Sequence, residues 1–188
     1  MTTSTTHTQL IQASSSLSEI INFAANCRAA HFAFGKPRRG IEGFKEVNIA
    51  HDLSAAFRLA GFYVFPEFPL AKGGSMDAVF IRGDEVVVCE WKQCYARSFW
   101  DVSSQTERMV NFNSMTEFQN YGFPDKNWEK RCLWVCDAWD DETINWWFGR
   151  SPVKDGFPSC PFEGNWNRGE YKFQNMGWNY SWIWAYTK

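Results

Sequence analysis

Two charged side chains, Glu90 and Lys92, stand at the end of an apolar run in the sequence VVVCEWKQ (86–93). Alternate side chains of a β-strand share a face, so the two charges are predicted to project together, about 6.6 Å apart. A carboxylate beside an ammonium group can bind a divalent cation and activate a water molecule. An acid and a base at a strand end also form ordinary surface ion pairs, so other residues must distinguish the two cases.

A second carboxylate, that of Asp77, is predicted to face Glu90 across a β-hairpin. Two apolar runs within residues 73–93 are separated by RGDE, and a two-residue loop there pairs Arg82 with Glu85. This register, which a four-residue loop shares, places Asp77 directly opposite Glu90, whereas a three-residue loop would separate the acids. Opposed carboxylates about 5 Å apart destabilise a sheet. The pair therefore calls for a bound cation or a raised pKa, and oxygen ligands held this closely suit Mg²⁺.

The apolar residues of the hairpin alternate between both faces of its strands. One face carries Val79, Ile81, Val86 and Val88, and the other carries Ala78, Phe80, Val87 and Cys89. A sheet with two apolar faces needs helices on both sides. The predicted fold class is therefore α/β, a three-layer α/β/α sandwich around a central mixed β-sheet.

Periodicity and turn residues predict the elements around the hairpin. The strongest helix signal covers Glu46–Leu59, where apolar residues recur at helical spacing and Gly61 supplies the stop. We also expect a helix over Leu17–Phe34, a strand over 62–70 broken by Pro66, a helix near 99–112, a strand over 131–137, a short helix over 141–150 and an aromatic strand over 178–186.

The length of 188 residues predicts a single domain. Within it, the Thr/Ser-rich residues 1–16 are expected to be flexible, residues 46–137 to form the core, and residues 138–188 to form an aromatic-rich elaboration. The many tryptophans of this last region could stack on bases, but large rings usually fill cores, which is the interpretation we favour.

The net charge of −2 argues against a protein that coats nucleic acid by charge alone. A local contact is still open, because the loop GKPRRGIEG (35–43) concentrates the basic residues Lys36, Arg38 and Arg39. These side chains are candidates for binding phosphates, with a solvated connector as the alternative.

The 6 cysteines lack the paired spacing of a zinc ribbon, so we interpret them as reduced thiols rather than zinc ligands. The N-terminal residues lack the basic and apolar regions of a signal peptide, and no stretch is long and apolar enough to span a membrane. A cytoplasmic protein without membrane contact is expected.

The order of a helix carrying Glu46, a strand carrying Asp77 and a strand ending in Glu90–Lys92 resembles the PD-(D/E)XK nuclease superfamily, also called the restriction-endonuclease-like fold. The resemblance covers about residues 46–137, although Met76 stands where the name-giving proline would be. It implies a restriction-endonuclease-like core and a Mg²⁺-dependent nuclease, in which Mn²⁺ is expected to substitute.

By this resemblance, Asp77, Glu90 and the backbone carbonyl of Trp91 would hold the metal. Lys92 would position or polarise the attacking water and stabilise charge on the phosphate. Hydrolysis would leave 5′-phosphate and 3′-hydroxyl ends.

The resemblance also implies supporting residues outside the hairpin. Glu46 matches an acid of the preceding helix that completes the metal shell or orients water, and Asp52 is the alternative. Gln93 and Gln105 are candidates for a supporting glutamine, with surface placement as the alternative.

DNA is favoured over RNA as the partner, with target recognition supplied by a homodimer or a partner protein, and small nucleases of this kind suggest a prokaryotic or phage origin. The alternative function is a non-catalytic module that keeps the nuclease fold and binds nucleic acid or protein. A third hypothesis is an unrelated enzyme with a cysteine nucleophile. It fits poorly because Cys89 faces away from Glu90 and Cys94 is expected beyond the strand end.

Overall fold

The computed structural model describes residues 15–34, 46–95, 98–150, 156–173 and 180–188. Within these ranges the chain forms five helices and six strands. They are α1 Leu17–Phe34, α2 Glu46–Leu59, β1 Tyr63–Pro69, β2 Ser75–Arg82, β3 Glu85–Cys94, α3 Phe99–Val110, α4 Ser114–Gln119, β4 Glu129–Ala138, α5 Asp141–Trp147, β5 Trp166–Lys172 and β6 Ser181–Thr187.

The strands form one mixed sheet in the order β1-β2-β3-β4-β6-β5. β3 and β4 pair in parallel, and the other neighbouring strands pair antiparallel. Parallel neighbours need a crossover connection, which α3 and α4 provide here. The segment that follows the hairpin therefore passes over one face of β3.

Helices cover both faces of the sheet. Buried side chains of α1 and α2 pack with Val87 and Cys89 on one face. Buried side chains of α3, α4 and α5 pack with Val86 and Val88 on the other. The predicted α/β class with a mixed sheet and helices on both sides is thus confirmed.

The two N-terminal helices begin and end where the sequence predicts. The apolar stripe of α2 and of the residue that follows it is completely buried, with each side chain at most 1% exposed: Ile49, Leu53, Ala56 and Ala60. Gly61 follows with φ +84, a left-handed conformation that glycine adopts without a Cβ clash, and this ends the helix.

The predicted hairpin register is also confirmed. Arg82 pairs with Glu85, and the ladder continues to the pair Ala78–Cys89. A turn this short requires positive φ, which Gly83 supplies at +58.

The prediction that Pro66 breaks the first strand is wrong. β1 runs through Pro66, which pairs with Ala78. β1 lies at the sheet edge, where the missing N–H of proline costs no ladder hydrogen bond. The irregular residue of β1 is instead Glu67, which has a positive φ of +49. The β1–β2 register contains no pair between Glu67 and Asp77.

One further prediction needs correction, and two elements of the structure lie where the sequence predicts none. Cys94 was expected beyond the end of β3 but is its last residue and is completely buried. α4 and β5 were not predicted, because α4 is only 6 residues long and β5, with the sequence WNRGEYK, has no apolar alternation. β5 forms because β6 offers it a strand edge, which is a tertiary effect.

Most of the described tryptophans and five of the 6 cysteines are buried, whereas Trp100 is 59% exposed. Trp146, Trp147, Trp182 and Trp184 are buried, as the core interpretation predicts. The 6 cysteines are free thiols. None of the helices in the described ranges is both long and apolar enough to cross a membrane.

A buried charge network joins α1 and α2 to the end of β4. Arg28 pairs with Asp52 at 3.2 Å and with Asp137 at 3.7 Å. The Arg28 Nε donates to the hydroxyl of Tyr180 at 3.0 Å, and that hydroxyl donates to Asp137 at 2.6 Å. Burial, followed by the charge of Asp137, raises the pKa of Tyr180, so the hydroxyl stays a donor.

We expect Tyr180→Phe to lower the free energy of unfolding by about 1–3 kcal/mol, because it leaves buried charges short of a partner. Tyr171→Phe is the matched control: its hydroxyl donates to the exposed Asn26 at 2.8 Å, and its loss should cost less than about 0.5 kcal/mol. Urea unfolding of both variants measures the difference. Equal losses would show that the network contributes nothing beyond an exposed hydrogen bond.

Candidate functional site

β2 and β3 separate where the predicted acids lie. Their ladder ends at the pair Ala78–Cys89, although β2 begins at Ser75 and β3 continues to Cys94 alongside β4. We call this opening, formed by Ser75–Asp77 and Glu90–Lys92, the fork. Backbone groups at the fork lose their regular partners, so side chains and ligands can replace them.

The Asp77 carboxylate replaces one of these lost backbone partners. Its Oδ2 accepts a hydrogen bond from the N–H of Trp91 at 2.8 Å. The N–H and C=O of one strand residue point toward the same neighbouring strand. The carbonyl of Trp91 is therefore directed to the Asp77 side of β3, as the predicted ligand set requires.

Glu90 is an almost completely buried acid, with 2% of its surface exposed. Trp134 is its neighbour on β4, and Arg108 of α3 donates to its Oε1 at 2.9 Å. Burial and then the nearby charge of Asp77 raise the pKa of Glu90 to about 8, while the contact with Arg108 opposes the rise. The two carboxyl groups therefore lie close together, as the register predicts.

Lys92 lies two residues beyond Glu90 on β3, so it projects from the same face. Its ammonium group pairs with Asp101 of α3 at 3.0 Å, and 23% of its side chain is exposed. Because Asp101 is itself 56% exposed, this ion pair is open to solvent. The lysine is thus fixed near the acids by a partner that water or a ligand can replace.

One stripe of α3 faces the charges of β3. Asp101, Gln105 and Arg108 follow each other at i, i+4 and i+7, the spacing of one helix face. The predicted residue Gln105 lies half-buried between the two charged ones. Sequence reasoning missed Asp101 and Arg108, although opposite charges seven residues apart on the helix after Glu-x-Lys were a usable signal.

Gln93 lies away from the acid pair. Strand alternation puts its side chain on the face of Trp91, opposite to that of Glu90 and Lys92. Its backbone carbonyl accepts a hydrogen bond from the Ser98 hydroxyl at 3.3 Å. The structure therefore does not bring this glutamine together with the predicted catalytic residues.

The other candidates lie outside the site or outside the described residues. Asp52 belongs to the buried network with Arg28, on the helix face of the sheet opposite to α3. Glu46 is the first residue of α2, but its side chain is not among those described. The basic residues Lys36, Arg38 and Arg39 also fall outside the described ranges.

The donor set at the fork fits a hard divalent cation. Across the described ranges, no cluster of three or more His, Cys, Asp or Glu side chains is arranged to hold a metal. Asp77 and Glu90 nevertheless offer two carboxylates, and Trp91 adds a carbonyl. Such a small oxygen set suits Mg²⁺, which usually keeps several of its waters. Burial and the nearby charge of Asp77 keep the pKa of Glu90 raised despite its contact with Arg108, and a bound cation would lower it.

The cysteine-nucleophile hypothesis gains no support from the site. Cys89 is completely buried on the face opposite to Glu90. Burial, and then the charges of Asp77 and Glu90, raise the pKa of this thiol well above its usual value. A thiol that resists ionisation is a poor nucleophile.

Comparison with protein-family models, with curated proteins and with solved structures finds no match.

We expect Glu90→Gln to make the metal-free protein more stable at alkaline pH. The pKa of Glu90 rises from its ordinary value of 4.5 to about 8 on folding, so between these values the folded state binds more protons than the unfolded state. Parent stability therefore falls as the pH rises through this interval. The difference in free energy of unfolding, variant minus parent, should increase by about 2–4 kcal/mol when the pH is raised from about 5 to about 8.5.

Urea unfolding in the presence of a chelator at both pH values measures this gain. Glu85→Gln is the control, because Glu85 pairs with Arg82 at 2.9 Å at the far end of the same hairpin. A Glu90→Gln effect that is independent of pH would contradict the burial argument.

Proposed function

We propose that the protein is a metal-dependent nuclease of the PD-(D/E)XK type that hydrolyses phosphodiester bonds, with DNA favoured over RNA. The observation that carries this proposal is the meeting of Asp77 and Glu90 at the fork, with Lys92 on the same face as Glu90. Element order supports it, since a helix, three antiparallel strands, a crossover of two helices and a parallel strand follow each other from α2 to β4.

In this proposal, Asp77, Glu90, the carbonyl of Trp91 and Glu46 hold Mg²⁺, for which Mn²⁺ can substitute. When bound, Mg²⁺ polarises the phosphate and lowers the pKa of a bound water. The two strands position Asp77, Glu90 and the Trp91 carbonyl: Asp77 accepts a hydrogen bond from the Trp91 N–H, and burial fixes Glu90. Preformed ligands avoid the free-energy cost of ordering them when the metal binds.

Lys92 has the role of orienting the attacking water and stabilising the charge that develops on the phosphate. The water oxygen forms a bond to phosphorus and gives up a proton, the bond from phosphorus to the 3′ oxygen breaks, and that oxygen takes up a proton. The products are a 5′-phosphate and a 3′-hydroxyl. Lys92 can exchange its exposed partner Asp101 for a phosphate oxygen at a small cost in free energy, because the ion pair is open to solvent.

The phosphate backbone around the scissile bond must be bound locally, because the net charge of the chain is −2. Lys36, Arg38 and Arg39 are the proposed contacts. A homodimer or a partner protein would supply target recognition, and we place the protein in a prokaryotic or phage-infected cytoplasm.

A non-catalytic binding module is the second candidate, and one observation favours it. Glu90 and Lys92 already pair with opposite charges of α3, namely Arg108 and Asp101. A module that only binds would keep these pairs whether or not metal is present. Against this candidate, opposed carboxylates lower the stability of the fold, and a module that only binds would have no use for them.

We expect Asp77→Asn and Lys92→Ala each to reduce Mg²⁺-dependent cleavage by about 100-fold or more, since each removes a group that acts on the transition state. Matched controls are Asp84→Asn and Lys126→Ala, which break an exposed ion pair of 2.6 Å at the turn of the same hairpin. A panel of single- and double-stranded DNA and RNA with Mg²⁺ or Mn²⁺ measures the rates and end groups.

Retained cleavage in both site variants would rule out the fork as the active site. Binding of nucleic acid without cleavage by the parent protein, under every metal condition, would favour the non-catalytic module.

A further inference from the structure

Arg108 connects the two sides of the fork. It lies in the last turn of α3, and its Nη2 donates to Glu90 Oε1 at 2.9 Å and to the backbone carbonyl of Ser75 at 3.0 Å. Ser75 begins β2 and Glu90 lies on β3. The guanidinium thus supplies a positive charge where the two acids meet.

The two partners of this ion pair differ in their freedom to move. The Glu90 side chain is 2% exposed, whereas the Arg108 side chain is 41% exposed. Glu90 cannot turn away without breaking the core packing beside Trp134. The Arg108 guanidinium can turn into the solvent and stay hydrated. When another cation binds Glu90, we therefore expect Arg108 to be the side chain that moves.

A second cation on the Glu90 carboxylate would repel Arg108. Like charges a few ångströms apart cost about 1 kcal/mol in water and more at a half-buried site. Divalent cations and Arg108 therefore compete for one carboxylate. A guanidinium released near this site is well suited to a phosphodiester, because its planar donors match phosphate oxygens.

We propose that Arg108 is an exchangeable partner of Glu90: it pairs with this side chain in the metal-free protein, leaves when a divalent cation binds, and then contacts the substrate phosphate. The first two steps concern metal binding alone. The last step rests on the nuclease function proposed above.

The first test measures Mg²⁺ affinity by calorimetry in the absence of nucleic acid. Arg108→Gln removes the competitor, so the variant should bind Mg²⁺ about tenfold more tightly than the parent, equivalent to about 1.4 kcal/mol. Arg108→Lys keeps the charge and should give an affinity between the two. If Arg108 only holds the fork together, its loss misplaces the acids and weakens Mg²⁺ binding, which would overturn the proposal.

Arg82→Gln is the matched control for this test. Arg82 also donates to a carboxylate, that of Glu85, at 2.9 Å and to a backbone carbonyl, that of Ala60, at 3.1 Å. It lies at the opposite end of the hairpin, so its loss should leave Mg²⁺ affinity unchanged. An equal increase in affinity for both variants would show a general charge effect and overturn the exchange.

The second test measures binding of a short DNA duplex to the Lys92→Ala variant, with and without Arg108→Gln. In Mg²⁺, the added substitution should weaken binding and reduce the slope of log affinity against log salt by about 0.9, the value for one phosphate contact. In a chelator, where Glu90 retains Arg108, the slope should not change. A slope change of equal size in both conditions would overturn the metal-linked release.

These readouts separate the exchange from the nuclease function. Tighter Mg²⁺ binding by Arg108→Gln supports the exchange even if the parent protein cleaves no nucleic acid. Cleavage by the parent protein, together with unchanged Mg²⁺ affinity in Arg108→Gln, overturns the exchange and leaves the nuclease function standing.

Discussion

The opposition of two carboxylates at the separation of β2 and β3 is the constraint on which the site depends. A buried Glu90 beside Asp77 costs free energy unless positive charge or protons compensate it. The surrounding elements supply this compensation in part: Arg108 donates to Glu90, and the Trp91 N–H donates to Asp77. The pKa of Glu90 stays raised because its burial and the charge of Asp77 outweigh the contact with Arg108.

The buried charges on the two faces of the sheet have partners that differ in solvent exposure. On the side of α1 and α2, Arg28 and its acidic partners form a network in which every member is nearly inaccessible to water. On the side of α3, the buried acid Glu90 meets an arginine that is 41% exposed. A closed network can fix helices against the sheet, whereas an open one permits exchange of partners. The second arrangement is the one that a binding or catalytic site requires.

The parts of the site that are local in sequence could be predicted, and the parts set by tertiary packing could not. The turn sequence and strand alternation determine the register that brings Asp77 to Glu90, since both act over a few residues. Helical periodicity likewise located α2. The partners Asp101 and Arg108 depend on how α3 lies over β3, and the separation of Asp52 from the acids depends on which face α2 covers. Neither is encoded in a short pattern.

Aromatic packing explains how α3 is held in the position that the site requires. Phe99, at the start of the helix, stacks on Trp146 of α5 with ring centroids 4.0 Å apart. Trp134, the neighbour of Glu90 on β4, donates from its indole nitrogen to the Thr106 hydroxyl at 2.8 Å. Thr106 lies between Asp101 and Arg108 along α3, so the rings that bury Glu90 also fix the helix that pairs with it. The high aromatic content of the chain thus contributes to the site through packing, because rigid rings position α3 while leaving its charged stripe accessible to solvent.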